Sequence, residues 1–158
     1  MAINLNDNLP AAPAGSTNVN WQRDPSGNVS AYVTTSVELT PDNIDLTAQV
    51  ADIAATNLVA LPVAGVYRVS AYIIVTTPDG ATSTLPAVIL TWADQDNNVA
   101  QSLTMSPTNA GNLTTTYEQS DVVISVNAAT AIQYSTSGYT SGTPATMQYA
   151  LHIRVELL

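Results

Sequence analysis

The amino-acid sequence predicts an all-β fold, an antiparallel sandwich of two sheets. Three observations carry this expectation: apolar and polar residues alternate in short runs from Val29 onward, turn residues interrupt those runs roughly every 8 to 12 residues, and helical periodicity is scarce. With 158 residues the chain has room for one domain with a core of its own and no room for a second.

The elements follow in order. Residues 1–28 are rich in Asn, Pro, Ala, Gly and Ser, and the prolines of Leu9-Pro10-Ala11-Ala12-Pro13-Ala14-Gly15 exclude a regular helix or a central strand. This stretch reads as an extended N-terminal arm, with Leu5, Val19 and Trp21 as the residues through which it docks; a tail without a docking partner is the alternative. The sandwich domain is expected over 29–158. Within it, 45–61 is ambiguous, because Ile44, Leu46 and Val50 alternate while the Ala-rich run 50–56 suits one helical turn.

Residues 66–77 read as a strand with two apolar faces. Tyr67, Val69, Ala71, Ile73 and Val75 line one face, and Val66, Tyr72 and Ile74 put apolar groups on the other, so a second sheet, the arm or a neighbouring subunit is expected to cover each side. Pro78-Asp79-Gly80 supplies a turn, and 87–92 leads through Asp94-Gln95-Asp96-Asn97-Asn98 into 99–105 as a strand pair. Residues 113–119, 121–126 and 131–135 follow as strands. The last strand is the clearest: Met147, Tyr149, Leu151, Ile153, Val155 and Leu157 share a dry face, and Gln148, Ala150, His152, Arg154 and Glu156 share the other. Eight or more strands in about 130 residues fit a jelly roll best, and an immunoglobulin-like sandwich without the Cys pair is the runner-up.

Composition narrows the function. Charged residues make up only 9% of the chain, so Thr, Ser, Asn and Gln must cover much of its surface. Three arginines and no lysine stand against 12 carboxylates, for a net charge of −9, which disfavours nucleic acid and anionic membrane surfaces as partners. There is no Cys, hence no disulfide or thiol chemistry. The opening Met1-Ala2-Ile3-Asn4-Leu5-Asn6-Asp7 has neither a basic region nor an apolar core, so a signal peptide is not expected, and no apolar run approaches the roughly 20 residues of a membrane span.

Candidate chemistry is sparse. Asp94, Asp96 and Asn98 place oxygens at alternating positions, as the start of a calcium loop does, but Val99 stands where an EF-hand needs Gly and Met105 where it needs Glu; a plain hairpin loop is the stronger reading. His152, the single histidine, sits mid-strand beside Arg154 and Glu156, and no Gly-x-Ser-x-Gly elbow presents a nucleophile to it. Asp42, Asp45, Asp52 and Glu118 show no spacing that fixes two carboxylates at a hydrolytic separation. The sequons at Asn28 and Asn112 read as chance matches. The loop Gly138-Tyr139-Thr140-Ser141-Gly142-Thr143-Pro144 has the adaptable composition of a contact surface, so Tyr134, Tyr139, Thr140 and Ser141 are candidates for protein or carbohydrate contact, although a plain connection between strands is the narrowly preferred reading. Neither enzymatic activity nor a cofactor is expected.

Two stretches carry a resemblance. The opening Ile3-Asn4-Leu5-Asn6-Asp7-Asn8-Leu9-Pro10-Ala11-Ala12-Pro13, continuing through Asn18-Val19-Asn20-Trp21-Gln22 to Gly27-Asn28-Val29-Ser30-Ala31-Tyr32-Val33, resembles the N-termini of uncharacterised phage and prophage virion structural proteins. The closing 142–154, Gly-Thr-Pro-Ala-Thr-Met-Gln-Tyr-Ala-Leu-His-Ile-Arg, is similar to the end of the same group. A second likeness, of Ala64-Gly65-Val66-Tyr67-Arg68-Val69-Ser70-Ala71-Tyr72-Ile73, is to the Gly-x-Tyr step that opens a central strand of C1q and tumour-necrosis-factor jelly rolls. The chain departs from that pattern in having no Phe and no collagen-like repeat. These resemblances imply a jelly roll with a trimeric habit, in a virion protein made in the host cytoplasm. The expected role is a capsid decoration (cement) protein or head fibre that contacts itself through Val66, Tyr72 and Ile74 and the major capsid or another virion protein through its arm. The alternatives are a receptor- or host-glycan-binding fibre tip and a subunit of an extracellular filament.

Overall fold

The computed structural model describes residues 19–23 and 29–33 by their backbone, and 43–60, 62–80, 82–128, 130–142 and 146–158 in full. Among the described residues there are strands and no helix. The chain divides into two compact units, Met1–Leu39 and Thr40–Leu158.

In the first unit, β1 (Val19–Arg23) pairs antiparallel with β2 (Val29–Val33), in a register that sets Val19 opposite Val33 and Arg23 opposite Val29. The strand at Val29, expected to open the sandwich, thus pairs with residues of the expected arm. Leu5 lies outside the described residues, as do the side chains of Val19 and Trp21.

The second unit is a sandwich of two four-stranded antiparallel sheets. Its strands are β3 (Ile44–Gln49), β4 (Thr56–Val59), β5 (Gly65–Thr77), β6 (Thr84–Leu85), β7 (Ala87–Ala93), β8 (Ala100–Ser106), β9 (Asn109–Ala110), β10 (Tyr117–Val126), β11 (Ile132–Ser137) and β12 (Gln148–Leu157). One sheet has the order β10-β5-β12-β3 and the other β4-β11-β7-β8, while the short β6 and β9 pair with each other. The antiparallel partners are nested in sequence: β3 with β12, β4 with β11, β5 with β10, and β7 with β8.

The period-two stripes explain why these residues stack as they do. Tyr67, Val69, Ala71, Ile73 and Val75 of β5 are buried, as are Tyr149, Leu151, Ile153 and Val155 of β12, and they meet Leu58, Val88, Leu90, Ile132 and Tyr134 of the opposite sheet. A chain of hydrogen bonds stitches the sheets together within this core. The Ile53 N–H donates to Thr136 Oγ1 at 2.7 Å, and the Tyr149 hydroxyl donates to the Ala51 carbonyl at 2.8 Å. Tyr149 therefore has no hydrogen left for Thr136, whose hydroxyl donates to it at 3.1 Å. Burial pushes the Tyr149 phenol up to about 12.

Two sequence expectations are corrected here. Residues 50–56 form no helical turn: Ala48 has a positive φ of 54°, the β3–β12 pairing is interrupted by a bulge between Tyr149 and Leu151, and the Ile53 backbone turns to bond Thr136 instead. Leu157, assigned to the dry stripe, is 46% exposed because the end of β12 runs past the core. The two ends of that stripe should therefore differ in urea unfolding: Leu151→Ala should cost about 2–5 kcal/mol, as truncation of a fully enclosed side chain does, and Leu157→Ala well under half as much. Equal costs would place Leu157 inside the core.

Candidate functional site

The strands that bury β5 and β12 inward also build an outer face, and the register fixes its layout. In β5 the residues between the buried ones are Val66, Arg68, Ser70, Tyr72 and Ile74. Pairing sets Tyr72 between Gln119 and His152, Ile74 between Tyr117 and Ala150, Ser70 between Asp121 and Arg154, and Arg68 between Val123 and Glu156. Asp45 of the edge strand β3 then stands opposite His152. The expected contact residues Val66, Tyr72 and Ile74 thus share this face, with Val66 42% exposed and the other two half-buried.

Its centre is a row of rings and charges. The Tyr72 ring lies 5.7 Å from that of Tyr117 and stacks on His152 at 6.2 Å. Asp45 Oδ1 is 2.7 Å from His152 Nδ1, and both terminal nitrogens of Arg154 donate to Asp45 Oδ2 at 3.2 Å. The hydrogen bonds from His152 and Arg154 hold the Asp45 carboxyl below its ordinary value. One row on, Ser70 donates to Asp121 at 3.2 Å, while Arg68 lies 3.9 Å from Asp121 and 3.8 Å from Glu156. Exposed pairs of this kind add little stability and instead fix the orientation of charges on the surface. Between the rows lies a shallow depression of about 570 Å³, lined by Ser70, Tyr72, Gln119, Asp121, His152 and Arg154.

This face carries Tyr, Arg and His at its centre and exposed aliphatic side chains beyond, among them Val66 and Val123. His152 is turned to Asp45, and Ser70, the hydroxyl of the neighbouring row, donates to Asp121.

The remaining sequence candidates are dispersed. Tyr134 is 3% exposed, with its ring in the core and its phenol pushed up by burial, so it is corrected from contact loop to core residue: the alternation of β11 turns it inward. The loop after it is tied to its own fold. The Tyr139 hydroxyl donates to the Met147 carbonyl at 2.6 Å, Thr140 bridges to Thr84, and Ser141 donates to Asp79 at 2.6 Å while accepting from the Thr146 and Met147 N–H groups. The Gly142 N–H also donates to Asp79.

The 94–98 loop, for which a calcium site was the weaker reading, is a capped turn. Asp94 Oδ1 accepts from the N–H groups of Asp96 and Asn97, Asn97 accepts from Val99, and Asn98, with a φ of 54°, accepts from Asn127 at 2.8 Å. Among the described residues no three His, Cys, Asp or Glu side chains converge. Asp42 lies outside the described residues. Asp52 caps the Gly138 and Tyr139 N–H groups, Glu118 accepts from Asn109, and Asn112 accepts from Ser83, each with a separate structural task.

Sequence reasoning missed Asp45 and Tyr117 as members of this face. Alternation could show that each lay on a polar side of its strand, but only the pairing of strands far apart in sequence brings them beside His152 and Tyr72. No family model matches this sequence, and no curated protein matches it.

The Asp45 carboxyl is open to a direct check. A group whose folded value is depressed contributes its stabilisation above the unfolded value of 3.8 and loses it as pH falls through the lower folded value. Carboxyl-detected NMR titration should find Asp45 below 3.8, and Arg154→Gln and His152→Gln should each move it upward. An unchanged midpoint in both variants would contradict the bonding described.

Proposed function

We propose that this chain is an accessory structural protein of a bacteriophage particle, a capsid decoration protein or head fibre. In this reading its sandwich is a jelly roll that assembles as a homotrimer through the outer face of the β10-β5-β12-β3 sheet. The carrying observation is that Val66, Tyr72 and Ile74, singled out as excess apolar surface, stand together on one face with Tyr117, Val123, Arg68, His152 and Arg154.

The nested pairing supports the jelly roll. Joining β3 to β12, β4 to β11, β5 to β10 and β7 to β8 describes one antiparallel ribbon wound across two sheets, the arrangement of a double Greek key. The resemblance of 64–73 to C1q and tumour-necrosis-factor jelly rolls supports three copies, and that of the chain's two ends to phage structural proteins supports the virion. A closed ring removes the half-exposed side chains of this face from water, with about 800 Å² per partner needed for a stable contact. The arm region contains a two-stranded hairpin, which is marginal by itself in water and gains stability by docking on a capsid.

Light scattering on the full chain at micromolar concentration should give the mass of three 16.5 kDa protomers, and the double substitution Tyr72→Glu, Ile74→Asp should give one protomer with an unchanged β circular dichroism signal. A monomeric parent chain would overturn the assembly. The particle role is separable: labelled chain should bind purified capsids saturably and lose that binding when 1–18 are removed, whereas binding to host cells but not to capsids would favour a receptor-binding tip.

A further inference from the structure

The outer face of the β10-β5-β12-β3 sheet holds two charge clusters one row apart, and a proton changes only one of them near neutral pH. In the first, Asp45 Oδ1 lies 2.7 Å from His152 Nδ1, and Arg154 donates to the same carboxylate at 3.2 Å. Arg154 and Asp45 cancel, so this cluster is neutral while the imidazole is neutral and positive once it takes a proton. In the second, Arg68 stands between Asp121 at 3.9 Å and Glu156 at 3.8 Å, and two carboxylates against one guanidinium leave it negative. His152 is the single histidine, and imidazole is the side chain that ordinarily gains its proton between about pH 5 and 8. The titratable and charged groups around its ring come from four strands: Asp45 of β3, Arg154 of β12, Tyr72 of β5, and Tyr117 and Asp121 of β10. Asp45, whose carboxyl is held below its ordinary value, stays ionised throughout that range.

We propose that protonation of His152 tightens the homotrimer, by giving the His152 cluster of one copy a charge opposite to that of the Arg68 cluster of the next. A threefold ring joins its copies head to tail, so one patch of the face meets a different patch of its neighbour. A face with a positive end and a negative end is complementary to itself in such a ring. A face with a neutral end and a negative end is not. Linkage gives the sign: the trimer binds more protons than the separate chains, so it gains stability as pH falls through the range in which the imidazole titrates. The switch presupposes assembly through this face, as proposed above.

Sedimentation of the full chain over a dilution series at pH ~7.5 and ~5.5 tests this. In dilute buffer the concentration at which half the chain is trimeric should fall about tenfold at the lower pH, and about 0.5 M salt should remove most of that difference. His152→Gln keeps a side chain able to bond Asp45 but cannot gain a charge, and it should bring the ratio between the two pH values below about twofold. Glu156→Gln should do the same by removing the excess negative charge of the second cluster. Both substitutions are on the surface and should leave the β circular dichroism signal unchanged. A trimer equally tight at both pH values, one that loosens on acidification, a pH dependence that survives salt, or a His152→Gln chain with the parent's pH dependence would overturn the switch and leave the assembly standing. A chain monomeric at both pH values would overturn the two together.

Discussion

The register between β5 and β12 is the constraint on which the rest of the molecule depends. These are the two central strands of their sheet, paired along nearly their whole length from Gln148 opposite Thr77 to Leu157 opposite Tyr67. Because side chains alternate with a period of two, a slip of one residue would send Tyr149, Leu151, Ile153 and Val155 outward and bring His152 and Arg154 into the core. Burial forbids that slip. The same step that packs the core therefore also sets Tyr72 beside His152, and with β3 in place, His152 beside Asp45. Core and surface site are two sides of one register.

The second consequence is a division of labour between the sheets. The faces turned inward are interchangeable in chemistry, both aliphatic with tyrosines, and they meet through the Thr136–Tyr149–Ala51 chain of hydrogen bonds. The outward faces are not interchangeable. One concentrates two arginines, the histidine and the carboxylates of Asp45, Asp121 and Glu156, and the other carries only hydroxyls and amides among its polar groups. The exposed pairs of the first face orient its charges more than they add stability.

Much of the fold was legible in the sequence, because alternation is a local signal. The stripes 67–75 and 147–155 are buried as read, and 87–92, 99–105, 121–126 and 131–135 all fall in or overlap strands. What alternation cannot give is which strand lies next to which. Asp45 and His152 are far apart in sequence and Tyr117 is distant from Tyr72, so their meeting depended on topology. Composition misled at Tyr134, which the alternation of β11 turns inward, since Tyr serves a core as well as a surface; in the 139–141 loop Met147, Thr84 and Asp79 take up the hydroxyls. The run 50–56 misled because helix propensity is weak beside the tertiary bonds that capture Ile53.

Assembly through the charged, tyrosine-bearing face is the central claim, and it has a direct observable. In a sample mixing isotope-labelled and unlabelled chains, isotope-filtered NOE spectra record only contacts between copies. Contacts from the Tyr72, Tyr117 and Ile74 side chains of one copy to Val66, Val123 or the same residues of another are the expected result. Intermolecular contacts confined to the neutral sheet, or none at micromolar concentrations and above, would contradict it.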